Sequence, residues 1–348
     1  TANRTRQAES QVFGARENLR NIEQTVLLAA ATAYLNLLRD GAILELQRSN
    51  VEVLQEQLRQ SKQRLESGNV TQTDVSQSES RLEVGRTQLF AAEATFETSK
   101  AVYRQVIGVE PGKLVAASPV DRFSPTTLAA AVGSGIAVHP TVTTAQFNVD
   151  AALLQVKIAE GALYPSVQVQ GNIQKNYEIS MTQMNSFTGS VTGLFTMPLY
   201  QGGAEYAAIR QAKETHGQRQ LDFNVARDQA RVGVIQAWAL LEAAKSSIES
   251  SKKQVKSAEA ALNGVREEAR LGQRTTLDVL NAQQELVAAR IALVGSQRDR
   301  LVNSYGLLSA VGRLSPQVLG LHVATYDPGV HYHQVRDSWG GVRTPDGK

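Results

Sequence analysis

The sequence predicts a mainly α-helical protein that carries one β-hairpin. Three observations lead to this fold class. Apolar residues recur at coiled-coil spacing over most of the chain, the two halves repeat each other at a constant offset, and one short segment instead alternates apolar and polar residues. Only 5% of the 348 residues are aromatic, which also favours long helices over a conventional globular core.

The composition excludes several kinds of chemistry. The chain has no cysteine, and therefore no disulfide framework, no cysteine-ligated zinc and no thiol nucleophile. With 36 basic and 33 acidic residues, its net charge of +3 does not favour nucleic-acid binding. No uninterrupted apolar run reaches about 18 residues, so the sequence predicts no transmembrane helix.

No chemistry-bearing cluster of side chains is evident either. The sequence has no phosphate-binding glycine loop, and His331 and His333 stand two apart with no third ligand nearby. We therefore expect no enzymatic activity, no cofactor and no metal site.

The internal repeat keeps one register over about a hundred residues. Gly68 and Gly272 lie 204 positions apart, as do Asp74 and Asp278. The stretch 125–203 has no counterpart in the first half. Symmetry therefore predicts that roughly 80 further structural residues precede this chain in the natural protein.

The helices are expected in an alternation of long and short segments. At 1.5 Å per residue, 1–66 and 204–270 would each be about 100 Å long. The segments 70–107 and 140–162, at about 57 and 35 Å, together approach the length of one long helix. Such a pair, stacked end to end, could run beside one long helix, whereas 273–312 lacks a second short partner.

Glycines mark the ends of the two long helices, at Gly68 and Gly272. Each following helix is expected to begin at a capping threonine, and the sequence offers two choices in each turn. The candidates are Thr71 or Thr73, and Thr275 or Thr276.

The segment 165–198 has the period of two residues that is typical of strands. Each of its two halves is long enough to cross a bilayer at the tilt of a barrel strand. An apolar face outward and a hydrated polar face inward would suit a membrane barrel closed by other subunits, because unpaired strand edges cannot enter lipid. A small soluble hairpin packed on the helices is the alternative. The apolar side chains that would face lipid are Val167, Val169, Phe187, Val191 and Phe195.

Several motifs occur in a characteristic order. The heptapeptide 197–203, Met-Pro-Leu-Tyr-Gln-Gly-Gly, closes a strand and opens a long helix. The turn motifs Thr73-Asp74-Val75 and Arg274-Thr275 lie near matching points of the repeat, and the tail reads Tyr326-Asp327-Pro328, then Thr344-Pro345-Asp346-Gly347. Together with the duplication and the hairpin, these motifs resemble the TolC-type outer-membrane efflux protein family over essentially the whole chain.

The resemblance implies an architecture and a function. In this family, long antiparallel helices form a coiled-coil α-barrel across the periplasm, and the hairpins of a homotrimer close one shared β-barrel in the outer membrane. Drugs or type I secreted proteins leave through this duct, together with a periplasmic adaptor and an inner-membrane transporter. A periplasmic coiled-coil adaptor, or a structural protein of an export complex, is the alternative.

Residue roles also follow from the resemblance. It implies a gate in which Arg274, in the second turn, bonds to Thr73 and Asp74 in the first. The helix-turn tips near Gly68 and Gly272 would dock the adaptor.

The pore constriction implied by the family has two acidic residues per subunit. Asp278 matches the first, but the second position holds Asn281, so one ring of charge is lost. A tyrosine that supports the closed turn in the family is replaced by Ala269.

The expected organisation divides the chain into six segments. These are first-repeat coiled-coil helices (1–108), an equatorial linker (109–138), a short helix (139–163), an outer-membrane β-hairpin (164–200), second-repeat helices (201–312) and an irregular tail (313–348).

Overall fold

The computed structural model describes residues 2–68, 70–180, 183–323, 326–336 and 340. Long helices dominate it, and its one sheet has two strands. The elements in chain order are α1 (Ala2–Glu66), α2 (Gln72–Ile107), a 3-10 turn (Asp121–Phe123), α3 (Leu128–Val138), α4 (Pro140–Gly161), β1 (Ser166–Ser180), β2 (Gln183–Thr196), α5 (Ala204–Arg270), α6 (Thr276–Ala310), α7 (Pro316–Leu319) and α8 (Pro328–Arg336).

The chain divides into two compact units. The first comprises 1–18 and 141–227, and the second comprises 19–140 and 228–348. In the first unit, the start of α1 packs on α4, where the rings of Phe13 and Phe147 lie 5.5 Å apart. Gln7 Nε2 donates to Gln155 Oε1 at 2.9 Å in the same contact.

The hairpin of the first unit is antiparallel and regular over most of its length. Its register pairs Val167 with Phe195 and Gly171 with Val191, and it shifts once beyond Tyr177. The alternation in the sequence thus predicted the strands correctly. The sequence between the two alternating runs predicts a polar loop at about 178–186, whereas in the structure β1 runs to Ser180 and β2 begins at Gln183.

Small apolar clusters form the core of the second unit. One joins α3, α5 and α6, and another joins α1, α2 and α6. Among the described residues, no cluster has more than five buried members, as expected for amphipathic helices that bury only one face. The first holds Ala131, Val234, Leu241, Leu307 and Val311, and the second holds Val51, Leu54, Leu82 and Leu280.

Polar contacts also join α1 to α2. The hydroxyls of Ser61 and Ser78 lie 3.1 Å apart, and both side chains are buried. Further along, the buried carboxylate of Asp40 accepts hydrogen bonds from Arg39 and from Ser99. The interface between these helices is therefore partly hydrogen-bonded rather than wholly apolar.

One helix, Ala2–Glu66, contains a stretch that is apolar enough, by length and composition alone, to cross a membrane. Counting uninterrupted apolar residues missed it, because isolated polar residues break the run. Within the second unit, Leu35, Leu37 and Leu44 of this helix are buried. Core helices of globular proteins can satisfy the same criterion, so length and composition alone do not indicate a membrane span.

Two segments contain helices that the sequence analysis did not anticipate. The segment 109–138, expected as a linker, contains α3, which is capped by the Thr127 side chain. The tail, expected to be irregular, contains α7 and α8, and α7 begins with a Ser315 cap and Pro316. The abundance of Gly and Pro concealed these local start signals. The tail motif at 344–347 lies outside the described residues.

Gly108 and Gly312 end two helices at matching points of the repeat, but their surroundings differ. Both have a left-handed backbone, with φ of 87° and 79°. A Cβ on Gly108 would meet nothing within 4 Å, whereas one on Gly312 would lie 2.7 Å from the Cα atom of His139. We expect Gly312→Ala to destabilise the fold by about 3 kcal/mol, and its repeat partner Gly108→Ala by only about 1 kcal/mol.

Thermal unfolding followed by circular dichroism would measure both changes. Equal losses at the two positions would contradict the close packing of Gly312 against the backbone of His139.

Candidate functional site at the paired helix turns

Two matching turns carry most of the predicted site residues. Helix α1 ends at Glu66 and α5 ends at Arg270, and each is followed by a glycine with positive φ. Gly68 has φ of 73° and Gly272 has φ of 78°. The local geometry of the two turns thus repeats, as the offset in the sequence predicted.

Each turn then opens a helix with a reciprocal capping box. The backbone N–H and the hydroxyl of Thr71 donate to Asp74 Oδ2 at 2.9 and 2.7 Å, and the N–H of Asp74 donates back to the Thr71 hydroxyl. Thr275 and Asp278 repeat the pattern at 3.0 and 2.8 Å. Of the candidate caps, the structure therefore selects Thr71 and Thr275.

Capping also sets the charge of the two carboxylates. Hydrogen bonds from the backbone N–H of Thr71 and Thr275, then from their hydroxyls, lower the pKa of Asp74 and Asp278. Because the folded pKa is depressed, the stabilisation is complete above the unfolded value of about 4 and is lost as pH falls through the folded pKa. Both carboxylates are therefore charged at neutral pH.

Arg274 binds within its own turn. Its Nε donates to Glu268 Oε2 at 2.8 Å, and this hydrogen bond raises the pKa of the guanidinium. Among the described residues, no bond joins Arg274 to Thr73 or Asp74. Thr73 is exposed, and Asp74 is held by Thr71.

One cleft nevertheless brings the two turns together. It has a volume of about 1050 Å³, and its lining includes Asp74, Gly272 and Arg274. Acidic and basic side chains are equally represented in its walls. These charged residues are Glu52, Glu56, Asp74, Glu267, Arg64, Arg266, Arg270 and Arg274.

The predicted constriction residues follow one another on α6. Asp278 is half-buried, whereas Asn281 is exposed. Asn281 Oδ1 accepts a hydrogen bond from Arg81 Nη2 at 2.8 Å, across the interface with α2. Sequence reasoning missed both Arg81 and Glu268, although Arg81 stands seven residues after Asp74 and thus on the same face of α2.

The predicted lipid-facing residues form one exposed face of the hairpin. Val169 and Val191 are 76% and 81% exposed, and the other three members are at least 65% exposed. Lys175 lies on the same face, opposite Phe187, and its amine stands 5.0 Å from the Tyr177 ring centroid. Strand register places it there, near the turn of the hairpin.

A metal centre was not expected from the sequence. Among the residues that the structure describes, no group of three or more His, Asp or Glu side chains is arranged to hold a metal ion.

The chain belongs to the outer membrane efflux protein family, whose family model matches residues 1–109 and 134–313. It is a subunit of an export channel that lies in the outer membrane and extends into the periplasm. This result confirms the predicted fold class and favours it over a periplasmic adaptor or a purely structural coiled coil.

Particular relatives support this assignment. The outer membrane efflux protein BepC of Brucella suis biovar 1 (strain 1330) is 42% identical over 349 residues, covering 100% of this chain and 76% of BepC. Outer membrane protein TolC of Escherichia coli (strain K12) is 26% identical, covering 88% of this chain and 65% of TolC. For the fold, the crystal structure of the Campylobacter jejuni CmeC outer membrane channel superimposes with a TM-score of 0.78 at 15% identity, covering 96% of this chain and 70% of CmeC.

The cap assignment can be tested one residue at a time. We expect Thr275→Ala to fray the first turn of α6 by about 1 kcal/mol, because the Asp278 N–H loses its acceptor. Hydrogen exchange of the backbone amides at 276–279 should then accelerate about fivefold. The matched control is Thr276→Ala, whose hydroxyl takes no part in the box. Faster exchange in the control instead would show that the cap is wrongly assigned.

Proposed function

We propose that the protein works as a homotrimeric passive duct, coupled to a periplasmic adaptor and an inner-membrane transporter. Drugs or secreted proteins would cross the outer membrane through it without any catalytic step or cofactor. The observation that carries this proposal is the hairpin. Both of its faces are exposed in the single chain, and within the described residues its two strands pair only with each other.

A two-stranded ribbon with unpaired edges is stable neither in water nor in lipid. Pairing with strands of neighbouring subunits would satisfy those edges and close a barrel. Val167, Val169 and Val191 would then face lipid together with Phe187 and Phe195. The opposite face, rich in Ser, Thr, Asn and Gln, would line a hydrated lumen.

The helix-turn tips at Gly68 and Gly272 are the proposed docking points for the adaptor. The neighbouring cleft, which is lined by Asp74 of the first turn and Gly272 of the second, supports this assignment because it offers equal numbers of acidic and basic side chains. A partner with complementary charges could bind there with defined register.

The proposed gate is an exchange of partners by Arg274. In the closed channel its guanidinium would bond to Thr73 and Asp74 of the first turn. In the isolated chain it bonds instead to Glu268. An exposed ion pair of this kind contributes little free energy, so a docking partner could shift the balance between the two arrangements.

The proposed constriction lies at Asp278, in the first turn of α6, four residues after Arg274. Three copies of Asp278 around the axis would form an acidic ring that attracts cations. Asn281 contributes no charge at the next level.

Conductance in planar bilayers tests the gate. In the channel purified from outer membranes, we expect Arg274→Ala to raise the open probability, because the closed link loses its cation. Glu268→Gln should lower it, because Arg274 loses the competing partner. The matched control is Arg270→Ala, which breaks only the neighbouring exposed pair with Glu267.

An unchanged open probability in both Arg274→Ala and Glu268→Gln would remove the gate from the proposal while leaving the channel intact. A rise in the Arg270→Ala control equal to that of Arg274→Ala would show a general effect of charge at the tip.

The orientation of the hairpin has its own test. We expect Val191→Arg to reduce the amount of assembled channel in outer-membrane fractions, because a lipid-facing arginine near the midplane costs about 2–4 kcal/mol. Ser190→Arg, one residue away on the polar face, should assemble normally. If Ser190→Arg were the defective variant, the two faces of the hairpin would have been assigned the wrong way round.

A further inference from the structure

Arg81 connects two helices close to the proposed constriction. Its Nη1 donates to Gln284 Oε1 at 2.7 Å, and its Nη2 donates to Asn281 Oδ1 at 2.8 Å. The guanidinium on α2 thus bonds to Asn281 and Gln284, which lie three residues apart and therefore on the same side of α6.

Both acceptors of Arg81 are neutral amides. Within the part of the chain that the structure describes, no carboxylate lies at ion-pair distance from Arg81. Other arginines nearby do have such partners, since Arg86 pairs with Glu83 at 2.7 Å and Arg290 pairs with Glu259 at 2.7 Å. The hydrogen bonds therefore fix the position of the Arg81 charge without offsetting it.

Acidic residues lie on either side of this fixed charge along α6. Asp278, Asn281 and Glu285 follow at spacings of three and four residues, so they share one face of the helix. At 1.5 Å per residue, Asp278 and Glu285 stand about 10 Å apart along the axis. Arg81 bonds to positions 281 and 284, between these two levels.

We propose that Arg81 is a selectivity-determining residue of this channel, placing a ring of positive charge between the acidic levels of Asp278 and Glu285. The proposal rests on the assignment of this face of α6 to the pore constriction. Asn281 then has a positive role besides the absence of a second acidic charge, because its amide oxygen accepts the hydrogen bond that holds Arg81 at the pore wall.

The charges at the constriction follow directly. Asp278 and Glu285 contribute two negative charges per subunit and Arg81 contributes one positive charge, which leaves one net negative charge. Because each acidic level lies within about one Debye length, roughly 8 Å at physiological salt, of the Arg81 level between them, a permeating ion experiences the Arg81 charge together with each acidic charge. Arg81 thereby weakens the preference for cations, and its positive charge attracts a carboxylate or phosphate group of a passing solute.

Reversal potentials in a salt gradient would test this proposal, using the channel purified from outer membranes. We expect Arg81→Gln to shift the reversal potential toward cation selectivity. Asn281→Asp should shift it in the same direction by a comparable amount, because it changes the net charge by one unit at the same level. The matched control, Arg81→Lys, keeps the charge and should remain close to the wild type.

Asp278→Asn separates this proposal from the one on which it rests. If Asp278→Asn reduces cation selectivity while Arg81→Gln changes nothing, the constriction stands and the role of Arg81 is refuted. If Asp278→Asn also has no effect, the constriction itself is wrongly placed.

A chemical version of the test avoids comparing differently folded variants. Because this sequence has no cysteine, Arg81→Cys would place one thiol in it for charged methanethiosulfonate reagents. Attaching a positive aminoethyl group should restore wild-type selectivity, and attaching a negative sulfonatoethyl group should shift the reversal potential further toward cations. Equal shifts with the two reagents would overturn the proposal.

Discussion

The reversal of the chain at two glycines positions every charged residue of the proposed gate. A glycine with positive φ follows each of the two long helices, and a threonine–aspartate box then starts each return helix. The capping bonds hold Asp74 and Asp278 as carboxylates in fixed orientation. The capping box, which occurs twice because the sequence is duplicated, therefore both starts each helix and supplies the negative charge.

The sequence predicted the features that depend on local signals. Coiled-coil spacing and the glycine stops placed the ends of α1 and α5 at Glu66 and Arg270, and period-two alternation placed both strands. Alternation also predicted which residues share a face, because a one-residue shift of a strand would move all its side chains to the opposite face. These are properties of short windows of sequence, so no tertiary information was needed.

Partner choice between helices was not predictable in the same way. Nothing in the sequence indicates that Arg274 binds Glu268, six residues earlier, rather than a residue of the first turn. Nor does it indicate that Arg81 reaches Asn281 and Gln284, about 200 positions away. Such contacts depend on how α2 and α6 pack and on which rotamers the long side chains adopt. The helices α3, α7 and α8 were missed for a different reason, since short helices have too few residues for periodicity to reveal them.

In the proposed channel, the paired turns form the narrow, charged end of a trimeric duct. An electron cryomicroscopy map of the channel in lipid nanodiscs would show whether they do. We expect the three Asp278 carboxylates to point toward the symmetry axis at the narrowest level, with each Arg81 still bonded to Asn281. A map in which Asp278 faces away from the axis, or in which the duct is narrowest elsewhere, would contradict this position of the constriction.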